Sequence, residues 1–294
     1  TAVTTGVQNT IIGSLAGDAL TDADSNVVMG YGALTTDTKG SLSVAIGASA
    51  LATQNFTTAT NTFNTAVGAV AGQNLTTGTR NTLVGGLSGD ALTTGEYNTT
   101  LGRRSVAIGY EALGSQNFTT ATETYNTAVG YSAGNAVTTG ISNTIVGGRA
   151  GDALTDADFN VAIGMDSLTT DTLGGKSTAL GVGALGTQNF TTATDTFNTA
   201  LGFQAGLSVT TGLRNVLVGG LAGDSGTTAA NNVIVGYNSD LAAVDTAQVI
   251  VLGSGVTSQA ANNFTFGFGA TDSNIAFGAT SITAPSDERY KEDI

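Results

Sequence analysis

Side chains able to do chemistry recur in two settings along this chain, acids in short runs and aromatics in short inserts. The segment Gly-Asp-Ala-Leu-Thr-Asp-Ala-Asp supplies Asp18, Asp22 and Asp24, and again Asp152, Asp156 and Asp158. Carboxylates so concentrated are the oxygen donors that Ca²⁺ takes, but the spacing lacks the mid-loop Gly and terminal Glu of an EF-hand, and the copy at Asp90 has lost the later acids. A solvated acidic turn and no metal are therefore expected. The inserts place Phe56, Phe118 and Phe190 at one repeated position, with Phe63, Tyr125 and Phe197 seven residues on. Rings so placed could stack on sugar rings, with Gln54, Asn55 and Thr side chains as hydrogen-bond partners, which makes Phe56, Phe118, Phe190 and Tyr125 candidate binding residues. The same rings could fold over a groove between subunits, and packing is the expectation. A further row, Tyr31, Tyr110, Tyr131, Phe203 and Tyr237, follows directly after repeated glycines; half-buried packing is its default reading.

Much chemistry is excluded by composition. The chain has no His and no Cys, so the usual general base, thiolate metal sites and disulfides are absent. Gly-x-Gly pairs such as Gly30 with Gly32 and Gly267 with Gly269 belong to the repeat and open no helix after a strand, so no nucleotide cofactor follows. Net charge is −13 and the nine basic residues are scattered singly, which argues against nucleic acid. No apolar run approaches membrane-spanning length, and a start at Thr1 suggests a mature product or a fragment.

The elements that must position these residues are written as a ladder. An apolar pair closed by Gly recurs fourteen times, at glycines 13, 30, 47, 68, 85, 102, 109, 130, 147, 164, 181, 202, 219 and 236. Steps are 17 or 21 residues apart from one of 7 after Gly102, where ten residues are missing relative to the other units and an irregularity is expected. One insert coil and three plain coils make a 72-residue unit. So short a step, repeated so often, specifies a solenoid. Four before the Gly stands Asn eleven times and Ser three times. Asn is expected to take left-handed backbone and bond the copy above it, and the Gly to serve a corner where φ is positive or a side chain would clash.

With 42 Gly, one Pro and β-branched pairs between turn residues, the fold class is all-β, a parallel β-solenoid or β-roll of 17- and 21-residue coils. Both faces of the repeated strand are apolar. One row, Ile12, Met29, Ile46 and successors, precedes the Gly directly, and another, often Ala, stands two before. One face must fill the coil, and the other, expected to be the Ala row, needs a second apolar surface, which association about a long axis would supply. A wide single-chain solenoid is the alternative. At roughly 4.8 Å per strand, fourteen coils predict a shaft on the order of 65 to 70 Å long. Residues 1–236 are read as the repeat shaft. Residues 237–285, where spacing shrinks and Phe264, Phe266, Phe268 and Phe277 gather, are read as a cap. Residues 286–294 read differently from both.

The Ser-Val-Ala-Ile-Gly strings at 43–47 and 105–109, and Asn-Thr-Ala-Val-Gly at 64–68 and 126–130, resemble the head repeats of trimeric autotransporter adhesins, over about 230 residues. That resemblance implies a homotrimer, although adhesin-head coils are shorter. The last nine residues, with Ser286, Asp287, Arg289, Lys291 and Ile294, resemble the opening of the endosialidase-type intramolecular chaperone of phage tail fibres and tailspikes. It implies a trimeric fibre and self-cleavage beside Ser286 as nucleophile, with Lys291 as its base, a Lys of lowered pKa being able to take a hydroxyl proton. Together the resemblances imply a non-enzymatic, adhesive tail-fibre segment on the virion. Its partners would be itself as a homotrimer, other tail proteins, and a bacterial surface glycan or protein, without membrane insertion. The alternatives are a bacterial cell-surface adhesin head and a polysaccharide-degrading tailspike, although no convincing carboxylate pair for glycoside cleavage stands out. Thr-rich faces of ice-binding solenoids are not matched, because Thr-x-Thr is not kept on every coil.

Overall fold

A computed structural model describes residues 3–90, 93–94, 105–116, 123–269 and 272–279, and among them every regular element is a β-strand. The chain divides into two compact units, Thr1–Met165 and Asp166–Ile294. In the first, three-residue strands from Thr10–Ile12 through Val27–Met29, Val44–Ile46 and Thr65–Val67 to Val161–Ile163 pair in parallel, each with the next coil's strand. The second repeats this from Thr178–Leu180 through Val233–Val235, Val249–Ser254 and Asn263–Phe268. Each unit is a parallel β-solenoid, in register at the 17- and 21-residue steps: Thr10 faces Val27, and Val44 faces Thr65. The second unit ends differently, since Ser273–Ala276 pairs antiparallel with Asn263–Phe268.

At the seven-residue step the ladder closes up. Leu83 pairs with Ala107 and Val84 with Ile108, so the rung after Gly85 is that of Gly109. Gly102 lies outside the described residues.

The glycine at each strand end is required twice over. At Gly13 and Gly30 φ is +128° and +138°, which side chains avoid, and a Cβ on Gly13 would stand 2.7 Å from the Gly30 carbonyl oxygen. The Asn row bonds between coils as expected but does not take the left-handed backbone. Left-handed backbone falls on the residue before it, as at Ser25, Arg80, Ser142 and Arg214 with φ of 56 to 60°. The Asn itself is buried and bridges coils. Asn126 Oδ1 accepts the Asn143 backbone N–H at 2.9 Å, Asn143 Oδ1 accepts that of Asn160 at 2.9 Å, and Asn143 Nδ2 donates to the Ala157 carbonyl at 2.8 Å. In the second unit Asn198 Oδ1 accepts from Asn215 N–H at 2.9 Å. Each side chain thus satisfies backbone groups that a three-residue strand leaves over.

The expected facing of the strand is reversed. The residue two before the Gly, whether Ala45, Ala66, Leu83, Ile145 or Ala200, is buried in the coil, and the row directly before the Gly faces out. Space decides this, because a 17-residue coil holds one layer of side chains between two walls. Where the opposite wall carries Leu four after the Gly, as Leu51, Leu113, Leu168 and Leu185 do, the strand carries Ala, and beside Leu34 it carries Val28. Where that position is Gly, the strand carries a larger residue or the wall supplies Leu75, Val137 or Leu154 seven after the Gly. A Cβ on Gly72 would meet Leu83 Cδ1 of the next coil at 2.5 Å and one on Gly151 would meet Leu154 Cδ1 of its own coil at 2.7 Å, so these glycines make room for the apolar side chains packed around them.

Candidate functional site

Three constellations carry polar or aromatic groups beyond what the coil needs. The first is internal. Coils with Leu four after the Gly place a polar residue seven after it, and where two such coils stack, the polar residues meet. Asp37, fully buried, accepts from Gln54 Nε2 at 2.6 Å and from the Gly40 and Phe56 backbone N–H groups at 3.0 Å each. Gln54 Nε2 also reaches Ser43 Oγ at 3.0 Å, and its Oε1 accepts from Asn64 Nδ2 at 2.7 Å. The copy is faithful: Gln188 donates to Asp171 at 2.5 Å, Asp171 accepts from Gly174 and Phe190 N–H, and Asn198 donates to Gln188. Charge-assisted bonds to backbone make this carboxylate the anchor of the insert. In the middle unit Ser105 still meets Thr124, but the ten missing residues include the Asp-bearing wall, and Gln116, 1% exposed, has both amide ends without a hydrogen-bond partner.

This network places the insert aromatics. Phe56 and Phe190 are 8% and 7% exposed, their rings covered and their backbone tied to the Asp, so neither offers a platform in the single chain. Phe118 lies outside the described residues, as do Ser286 and Lys291. Tyr125 is 46% exposed and donates to Glu123 at 2.6 Å. The acidic turns bind the coil before them: Asp22 accepts from Thr5 at 2.7 Å, Asp24 from Val7 N–H at 2.8 Å, Asp156 from Thr139 at 2.6 Å and Asp158 from Ile141 N–H at 2.7 Å. Among the described residues no cluster of acids has the arrangement to hold a metal ion, and no helix is long and apolar enough to cross a membrane.

The second constellation is the outward strand face. Ile12 is 54% exposed, and Met29, Ile108, Leu180, Leu201 and Leu252 are exposed on their own rungs. The aromatic row after the glycines, Tyr31, Tyr110, Tyr131, Phe203 and Tyr237, is exposed rather than half-buried. Tyr110 and Tyr131 stack at 5.5 Å with planes 7° apart, and the Tyr110 hydroxyl is pushed above the usual phenol range by the Glu111 carboxylate beside it.

The third is the left-handed corner five before the Gly. In the first unit Arg80 lies over the Phe63 ring at 5.7 Å; in the second Lys176 lies over Phe197 at 5.4 Å and pairs with Asp195 at 2.6 Å, while Arg214 is exposed one coil on. The basic residues were taken above as scattered. Counted from the repeat glycine instead of along the chain, several share one corner.

The chain was compared with protein-family models, with curated proteins and with solved structures, and it matches none of them.

Proposed function

We propose that this chain is a segment of a phage tail fibre that assembles as a homotrimer and presents a surface to a bacterial host. The observation that carries the reading is the outward strand face. In each unit stacked rungs expose large apolar and aromatic side chains, Ile12, Met29 and Tyr110 in the first and Leu180, Leu201 and Tyr237 in the second, and rows of that kind ask for an apolar partner. Copies of the same chain offer a matching row at the same rung spacing, and symmetry about a long axis satisfies every copy at once. The resemblance of the repeats to trimeric adhesin heads, and of the Ser286 to Ile294 string to a tail-fibre chaperone, selects three copies and the virion. Function is then mechanical and adhesive, with weak contacts multiplied by symmetry. Partners are the chain itself, neighbouring tail proteins and a host surface glycan or protein.

The test is to express the uninterrupted reading frame, wild type and Ser286→Ala, and to weigh the products under native and denaturing conditions. A trimer whose chains end beside Ser286 only in the wild type supports the fibre and self-cleavage with Lys291 as base. An unprocessed trimer keeps the fibre and removes the cleavage. A monomer overturns the assembly and returns the reading to a single-chain solenoid.

A further inference from the structure

We propose that in each unit the left-handed corner five before the repeat glycine is a binding track for a carboxylate-bearing polysaccharide, whose sugar rings lie on Phe63 beside Arg80 in the first unit and on Phe197 between Lys176 and Arg214 in the second, and whose carboxylates meet those cations. The proposal deepens the reading of the chain as an adhesive surface and rests on it.

Composition at this position departs from the rest of the chain. Among the fourteen positions five before a repeat glycine, four are basic, five are aromatic and none is acidic, in a chain with 22 acids and nine bases. Four of those nine bases therefore stand in one register, although one, Arg104, lies outside the described residues. Such a distribution concentrates positive charge where a net −13 chain would otherwise repel an anion.

Backbone conformation is shared along the corner. Phe63 and Phe197 have φ of 53°, Arg214 56°, Arg80 60° and Lys176 61°. Bulky residues are strained there, and Gly or Asn would serve the corner at less cost. Asn does so at Asn231, with φ of 61°. Leu42 stands at the same corner with φ of 64°, so the backbone does not by itself select the side chain; it holds the rings and cations of successive coils in one orientation.

Geometry supplies the track. The Arg214 backbone N–H donates to the Thr196 carbonyl at 2.8 Å and that of Arg80 to Thr62 at 2.5 Å, which sets each corner over the one before. In the second unit Lys176, Phe197 and Arg214 occupy consecutive coils, a ring between two cations, and all three are exposed. Adjacent coils of a parallel solenoid repeat at about 4.8 Å, so these corners form a regular row along each unit. Rings take the apolar face of a sugar, and guanidinium takes a carboxylate in two parallel bonds. Asp195, itself exposed beside Lys176, marks where a carboxylate sits and is the internal anion that a ligand displaces.

The experiment titrates the wild-type chain with an oligogalacturonate of defined length and with a neutral maltooligosaccharide by calorimetry, recording native mass on the same samples. Binding of the oligogalacturonate alone is expected, weakened by salt and by about tenfold or more in Phe63→Ala/Phe197→Ala and in Arg80→Gln/Arg214→Gln. No binding, equal binding of the neutral sugar, or affinity unchanged in both variants overturns the proposal. Variants that lose the trimer seen in wild type would make the corner a contact between copies and overturn it too. A monomeric wild type that binds the acidic sugar at this corner would sink the trimer reading and leave the site standing.

Discussion

Gln116 is the residue on which the repeat contradicts itself. Gln54 and Gln188 each hold a buried carboxylate, whereas Gln116 sits at the same place in the coil with both amide ends unpaired. The coils without such a network fill this place with Leu20, Leu75 or Leu154. Gln116→Leu is therefore expected to leave stability unchanged or raise it by about 1 kcal/mol, while Gln188→Leu costs about 2 kcal/mol because Asp171 loses a charge-assisted donor. Urea unfolding of the two variants decides this, and equal losses would refute it. A second residue-scale expectation concerns Asp224, whose carboxyl is raised by burial and then by the neighbouring Asp240 carboxylate. The folded chain binds that proton more tightly than the unfolded chain, so the stability it lends at acid pH is lost as pH rises through the raised folded value. Asp224→Asn should melt slightly above wild type at neutral pH and with it at about pH 3. Melting temperature against pH for both proteins is the check.

At the scale of the element, the coil is specified by where side chains are absent as much as by where they are present. Gly147 has φ of +134°, and a Cβ there would stand 2.7 Å from the Gly164 carbonyl oxygen, whereas a Cβ on Gly148 would meet nothing within 4 Å. Gly147→Ala should cost about 2 kcal/mol or more and Gly148→Ala almost nothing, measured by denaturant midpoint. The coil period, the all-β class and the role of this glycine were legible because each is local and repeated. The facing of the strand was not, since both its rows are apolar and only the width of the interior, set by Leu51 or Leu113 on the opposite wall, turns Ala45 and Ala107 inward. The Asn row was read both as a turn residue and as a bond between coils; the bond is there, but the chain gives the left-handed conformation to the residue before it. The tie of Gln54 to Asp37, 17 residues apart, was hidden for a similar reason: it exists only once two coils stack. Of the candidate binding residues, Phe56 and Phe190 are packed, the expected reading, while Tyr125 is exposed against it, and the corner cations were missed for want of counting from the glycine.

At the scale of the whole molecule, charge opposes assembly and apolar surface favours it. Each chain carries −13, so bringing copies together costs electrostatic work that salt screens. The trimer proposed above should therefore tighten as salt is raised, and Met29→Lys on the outward row should weaken it by about tenfold or more. Sedimentation at low and high salt measures both; a trimer that loosens in salt would point to ion pairs rather than apolar rows.

Ser273–Ala276 runs against Asn263–Phe268, and that one reversal gives the ladder a sense of travel. A coil can template another only when its outer strand offers a parallel edge in the right frame. In the second unit the last described strand has the opposite polarity and does not continue the parallel frame of the coils before it. Thr10–Ile12, at the other extreme of its own unit, keeps the parallel frame. Within the second unit, a coil stacking in the parallel frame would have to displace Ser273–Ala276 before it could pair with Asn263–Phe268.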